Sequence, residues 1–251
     1  MPYVEYERRG NIAIITLNRP DRMNALGVEL RTEMAEAWLR FRDEDDAWVG
    51  IITGRGRAFC AGEDLKESVA RGQAGGAEIA LQDPYRNREL EKPTIAAVNG
   101  FAVGGGFALV VRADIRLAAA SATFQIGGLN RGWLGSFPIG MEEGLPMGIT
   151  ADILLGERIS AERAYQIGLV TQVVADEELL PAAIAVAERV ASFPPLAVRE
   201  TVKLMREGRP AMSPELAAKV AERNAWLGTT EDAMEARRAF VEKRKPVFRG
   251  R

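Results

Sequence analysis

Three consecutive glycines, Gly104, Gly105 and Gly106, stand between an apolar strand-like run, Thr94–Val98, and an apolar helix-like run beginning at Phe107. A glycine run costs backbone entropy, so it restricts what the segment can be. One reading is a strand-to-helix turn whose N–H groups closely approach an electron-rich ligand, helped by the helix dipole. The other is a helix that must pack tightly on its strand. A second glycine-containing turn, Cys60-Ala61-Gly62-Glu63-Asp64-Leu65, follows the short apolar run Val49–Thr53. Both turns sit at carboxyl ends of strands, where open α/β proteins place ligands. Neither has the spacing GxGxxG or GxxxxGK[ST], which excludes the phosphate-loop reading.

The surrounding pattern is α/β. Val4–Glu7 and Ile12–Leu17 alternate about a turn at Arg9-Gly10-Asn11 and predict an antiparallel hairpin. Asn18–Asp21 is a turn, and Leu30, Met34, Ala37, Trp38 and Phe41 form a helical stripe. Arg71–Gly76 reads as a mobile loop, followed by a helix that ends near Lys92-Pro93. Ile115–Ala118 and Val170–Val174 read as further strands, and Ser160 as the N-cap of a helix ending at Gly168. Residues 127–148 carry no clear period. From Asp176 onward the chain reads as helical, over 177–193, 196–206, 213–226 and 231–244. This divides it into an α/β core, 1–175, and a helical C-terminal region, 176–251.

Composition prunes the chemistry. The 251 residues are 47% hydrophobic and 27% charged, ordinary for a soluble globular protein. A net charge of −2 gives no basis for binding nucleic acid or an anionic membrane, and no segment is long and apolar enough to span one. The single cysteine, Cys60, excludes an internal disulfide and suits a reducing compartment, so the expected location is cytoplasmic. The chain has no histidine. That removes Ser–His and Cys–His nucleophiles and metal sites that need imidazole. Proton transfer falls to a carboxylate, a tyrosine, a lysine or water.

Read in order, several segments resemble the crotonase (enoyl-CoA hydratase/isomerase) superfamily. They are Leu17-Asn18-Arg19-Pro20 with Asn24-Ala25-Leu26, Phe59–Leu65, Lys92-Pro93 with Ala96–Gly100, Gly104–Gly106, Gly156–Ala161 with Gly168–Val170, and Ala239–Pro246. The similarity runs from about residue 10 to 246. It implies a spiral of ββα units with a helical C-terminal region that serves oligomerisation and covers the active site. A homotrimer or dimer of trimers is expected, with a coenzyme A thioester as substrate and no permanently bound cofactor or metal.

The resemblance assigns an oxyanion hole to the backbone N–H groups of Glu63 and Gly105. It places coenzyme A against Arg22, Ala61, Asp64, Leu65, Lys66 and Lys243. The acyl pocket falls to Ala108, Gly128, Trp133, Phe137 and Phe240. It also exposes a departure: the two positions where relatives carry catalytic glutamates are Ala108 and Gly128 here, and a third position used by other branches is Ser136. Gly128 also matches the branch that employs bicarbonate, but Ile126 supplies no polar partner for it. The remaining acid–base candidates are Glu143 and Tyr85, with Glu142, Asp83 and Glu89 nearby in sequence. Hydration, isomerisation, decarboxylation and C–C hydrolysis stay open, as does an acyl-CoA-binding protein without turnover.

Overall fold

The computed structural model describes residues 1–71, 82–134 and 139–251. Most of the expected Arg71–Gly76 loop lies outside these, as do Ser136 and Phe137.

Among the described residues the core holds one sheet of six strands and another of four. β1 (Val4–Arg9) and β2 (Ile12–Leu17) form the expected hairpin, with Val4 opposite Leu17. β3 (Val49–Gly54) and β5 (Thr94–Val98) add in parallel, and both are buried along nearly their whole length. Buried parallel strands need apolar residues on both faces, which is why Val-Gly-Ile-Ile-Thr and Thr-Ile-Ala-Ala-Val read as continuous runs. β7 (Ile115–Ala119) and β10 (Gln172–Val174) complete the sheet in parallel.

The second sheet is assembled from β4 (Ala58–Cys60), β6 (Phe101–Val103), β8 (Thr123–Gln125) and the two-residue β9 (Ile159–Ser160). These strands are too short for a period of two to be visible in sequence. Each follows or precedes a strand of the first sheet, so the chain winds repeatedly between the sheets.

Helix Val28–Asp43 packs on β1 and β2, and helix Leu179–Ala191 on β2, β3, β5 and β7. The predicted stripe Leu30, Met34, Trp38 and Phe41 is fully buried, each large side chain stabilising by roughly 1.5–3 kcal/mol. Helix Gly105–Arg112 touches β4 and β6 of one sheet and β5 of the other. It therefore bridges the two layers, with the glycine run at the carboxyl end of β6, a strand that stands between β5 and the run. Ser160 caps helix Ala161–Gln166 through a bond from Arg163 N–H, as expected.

The helix expected before Lys92-Pro93 is corrected. Residues 82–92 form turns, because the buried Asp83 carboxylate accepts the N–H groups of Tyr85 (2.9 Å) and Arg86 (3.2 Å), and Arg88 adopts φ +60°. A short side chain that satisfies the next N–H groups competes with the helix ladder. The described residues of 127–148 include a 3-10 turn at Leu129–Arg131 and the start of helix Met147–Leu154. The C-terminal helices are Pro195–Glu207, Pro214–Leu227 and Glu231–Val241. Arg206 anchors the first of them to the sheet, reaching Asp114 at 2.6 Å and the Leu90 carbonyl.

Candidate active site

The two glycine turns meet. A Cβ built on Gly62 would stand 2.6 Å from the Val103 carbonyl oxygen and 3.2 Å from the Gly105 nitrogen. The backbone of Gly62-Glu63 thus lies directly against the start of helix Gly105–Arg112. Gly106 makes the approach possible, since a Cβ there would drive into the Cys60 carbonyl. Gly104 caps the helix at φ +53°, a conformation that glycine adopts without steric cost.

Both N–H groups have a defined direction. A parallel bridge joins Leu26 to Glu63, in which Leu26 N–H donates to Gly62 O (2.7 Å) and Asp64 N–H to Leu26 O (3.3 Å). Glu63 N–H therefore points away from Leu26. Gly105 is the first residue of its helix, and the ladder opens with Ala108 N–H on Gly104 O at 2.9 Å. The Gly105 N–H is one of the orphan donors at a positive helix end.

Charged side chains hold this backbone in place. Arg31, on helix Val28–Asp43, donates to Glu63 Oε2 at 2.6 Å and to Leu26 O at 3.2 Å. Ser68 donates to Glu63 Oε1 at 2.5 Å. Arg19 reaches Asp64 (2.8 Å) and Glu67 (3.1 Å). Asp64 caps helix Leu65–Arg71 by accepting the N–H groups of Lys66 and Glu67. Burial opposes the Asp64 charge, but the bond from Glu67 N–H and the Arg19 guanidinium outweigh it and hold its carboxyl below the usual range. Asn24, fully buried, donates to the carbonyls of Arg55, Ala58 and Phe59 and so ties the first turn to β4.

The family model described as enoyl-CoA hydratase/isomerase matches residues 7–251. The chain belongs to the enoyl-CoA hydratase/isomerase family.

It is 35% identical to enoyl-CoA hydratase EchA19 of Mycobacterium tuberculosis, over 98% of this chain and 96% of that one. It is 34% identical to (E)-benzylidenesuccinyl-CoA hydratase of Thauera aromatica, over 98% and 99%. A solved carnitinyl-CoA hydratase from Mycobacterium avium superposes with a TM-score of 0.88 at 34% identity and full coverage of both chains. The crotonase fold expected from the resemblance is the fold found, and the chain is an acyl-CoA-processing enzyme at the level of its family.

Against this family frame the expected site residues divide. Glu63 and Gly105 are brought together. Arg22 is exposed and sits beside the Ala61 backbone, since Ala61 N–H donates to Met23 O at 2.9 Å. Leu65 is half-buried, and Lys66 and Lys243 are exposed. Ala108 is half-buried one helical turn beyond Gly105, and Gly128 is buried. Trp133 N–H donates to Gly128 O (3.2 Å), which keeps Trp133 on that loop, and Leu134 N–H to Asn224 Oδ1 (2.9 Å). Phe240 reaches the same loop from helix Glu231–Val241, with its ring centroid 5.5 Å from the Arg131 guanidinium.

Tyr85 is corrected as an acid–base candidate. Its ring stacks on Trp38 at 4.3 Å, its hydroxyl donates to Leu109 O at 2.6 Å, and it is 2% exposed. Burial pushes its pKa far above the ordinary tyrosine value, so it is a core residue. Glu142 pairs with Arg88 at 2.8 Å. Glu143 accepts Gly140 N–H at 2.7 Å, and its other carboxylate oxygen is buried and finds no hydrogen-bond partner among the described residues. Its charge bears on Arg116 of β7, so its described neighbours are Gly140 and Arg116 rather than Gly105. Cys60 is inert: burial pushes its thiol up to about 12.

Arg31 and Arg131 are not singled out in the sequence, and Arg19 and Asn24 enter there only within motifs, without a role. The partners of Arg19 and Asn24 and the Glu63 partner of Arg31 lie 31 to 48 residues along the chain, and only the fold brings them together. Among the described residues no cluster of histidine, cysteine or carboxylates could hold a metal.

Proposed function

We propose that the protein transforms an acyl-CoA thioester through an enolate whose oxygen is held by the N–H groups of Glu63 and Gly105. The observation that supports this reading is the close approach of Gly62, the residue before Glu63, to Gly105, so close that a Cβ built on Gly62 would stand 3.2 Å from the Gly105 nitrogen. In each reaction open to this family frame, an electron pair moves onto the thioester oxygen. It comes from addition of water at the β-carbon, from loss of an α-proton, or from cleavage of a C–C bond. Two fixed donors at a helix start stabilise that charge without reorganising, and removing one costs ~10²–10³ in rate.

Ala108 and Gly128 bear no acid, so proton transfer uses groups other than the pair these positions carry in relatives. A second reading, an acyl-CoA-binding protein without turnover, is favoured by the same two residues. Assays with enoyl-, malonyl- and 3-oxoacyl-CoA thioesters separate them. Turnover of at least one is expected, and Gly105→Val, which keeps its N–H but whose side chain displaces the thioester from the two donors, should lower it ~10²-fold with the fold retained by circular dichroism. Tight binding with no turnover of any would leave the second reading standing.

The expected trimer or dimer of trimers belongs to the same proposal. Leu196, Leu204, Met205 and Trp226 stand exposed on the C-terminal helices, surface that association would cover. Light scattering should give a mass of three or six chains; a monomer would refute it.

A further inference from the structure

Glu63 is held at both its backbone and its side chain. Arg31, on helix Val28–Asp43, donates to its Oε2 at 2.6 Å, and Ser68, on helix Leu65–Arg71, donates to its Oε1 at 2.5 Å. Both donors are buried, at 9% and 7% exposure. Arg31 also donates through Nε to Leu26 O at 3.2 Å. One guanidinium therefore binds both members of the Leu26–Glu63 bridge, the carbonyl of one and the carboxylate of the other.

Arg31 stands where elementary electrostatics disfavours it. It lies in the first turn of its helix, with its N–H on Gly27 O at 3.1 Å, and so at the positive end of the helix dipole. Burying a cation adds a desolvation cost. The Glu63 carboxylate offsets both, so any displacement of Glu63 is opposed by the cost of stripping its cation. A position at which a chain breaks a local rule is where function is to be sought.

The backbone alone ties the Glu63 N–H unevenly. Gly62 precedes it at φ +84°, and glycine is the least restrained residue. Of the two bridge bonds, the one before Glu63 is short, Leu26 N–H to Gly62 O at 2.7 Å, and the one after it is long, Asp64 N–H to Leu26 O at 3.3 Å. The carboxylate bonds steady the same residue through its side chain, and bonds to an ionised group are roughly twice as strong as neutral ones. Steadiness matters here, because a misplacement of about 1 Å costs ~10²-fold in rate.

We propose that Arg31 and Ser68 are positioning residues: they fix the Glu63 carboxylate and thereby the direction of the Glu63 N–H toward the thioester oxygen. The inference rests on the thioester reading of the Glu63–Gly105 site. Both residues act through Glu63, whose N–H makes the bond, and no substitution of either removes that donor. Such variants keep both N–H groups and lose only their aim.

The test is ¹³C NMR of butyryl-CoA labelled at the thioester carbonyl, a saturated ligand that binds without reacting. Its carbonyl resonance moves downfield as the oxygen accepts hydrogen bonds. At saturation the wild-type complex should show that displacement. Arg31→Met should lose at least half of it and Ser68→Ala a smaller part. Arg31→Lys, which keeps the charge, should restore part of what Arg31→Met loses. With a thioester that turns over, kcat should fall about tenfold in Arg31→Met while KM stays within about threefold. Ser68→Ala removes a single hydroxyl and keeps the test decisive if Arg31→Met does not fold. A displacement equal to the wild type's in every folded variant, even with lowered urea midpoints, would overturn the inference and leave both residues as supports of the fold. No displacement in the wild type, with the ligand fully bound, would overturn the thioester reading as well.

Discussion

The two halves of the site are built from different materials. The half at Cys60–Asp64 and Gly104–Gly106 is backbone, held by glycines that permit close approach and by carboxylates paired with Arg19 and Arg31. The half proposed at Ala108 and Gly128 depends on side chains, and neither of these residues is an acid. A site that grips charge through peptide N–H groups can survive wide changes in its acid–base residues. Binding of the intermediate and transfer of its protons are separable.

The largest expected effect lies within the glycine run. Gly106→Ala would force a methyl group into the Cys60 carbonyl, and backbone at that spot cannot yield. A loss of about 3 kcal/mol or more is expected, read as a collapse of the urea midpoint or as insoluble protein. Gly105→Val differs in kind. The nearest atom to its new Cβ is the end of the Leu26 side chain, at 2.8 Å, which can turn aside, so activity should fall and stability should not. Equal destabilisation by both variants would erase the distinction between a packing glycine and a binding one.

A smaller change should come from supplying what the second half lacks. Ala108 is one helical turn from Gly105, and Gly128 has φ −69°, open to any residue. The double variant Ala108→Glu/Gly128→Glu should raise hydration of crotonyl-CoA roughly tenfold over the wild type, short of the ~10²–10⁴ that natively positioned acid–base groups supply. No gain in a folded, thioester-binding variant would mean that the two positions do not face the acyl group.

The smallest effect is a control away from the site. Glu44 accepts bonds from Tyr6, Arg8 and Arg40, and, the Tyr6 hydroxyl foremost, these hold its pKa down to about 2 against 4.5. A carboxyl depressed on folding contributes stability above its unfolded value, lost as pH falls through its folded one. The wild type should therefore lose stability between about pH 4.5 and 2, and Glu44→Gln should lose less across the same window. Thermal melts at a series of pH values check it, with activity at neutral pH unchanged.

How much of this was legible in sequence follows the same division. β1, β2, β3, β5 and β7 announce themselves because they alternate or run apolar. β4, β6 and β8 have three residues each and are defined by their partners. The turns at 82–92 were misread as helix, since the capping of Tyr85 and Arg86 by Asp83 outweighs the local pattern. In the site, Gly105 and Glu63 were visible through the glycines and the ordered resemblance around them. Tyr85 was misassigned because a tyrosine buried on Trp38 looks, in sequence, like one that faces a pocket. Arg31 and Arg131 left no mark, since the partner of a guanidinium is set only in three dimensions.

The central claim is that the thioester oxygen accepts hydrogen bonds from Glu63 and Gly105, and the carbonyl stretch of a bound ligand reports on it directly. Difference infrared spectra of a saturated acyl-CoA carrying ¹³C at the thioester carbonyl should show that band shifted to lower frequency in the wild-type complex. In the Gly105→Val complex, where the side chain pushes the carbonyl away from the Gly105 N–H, the shift should be smaller. A band unmoved on binding to the wild type, with the ligand fully bound, would contradict the account.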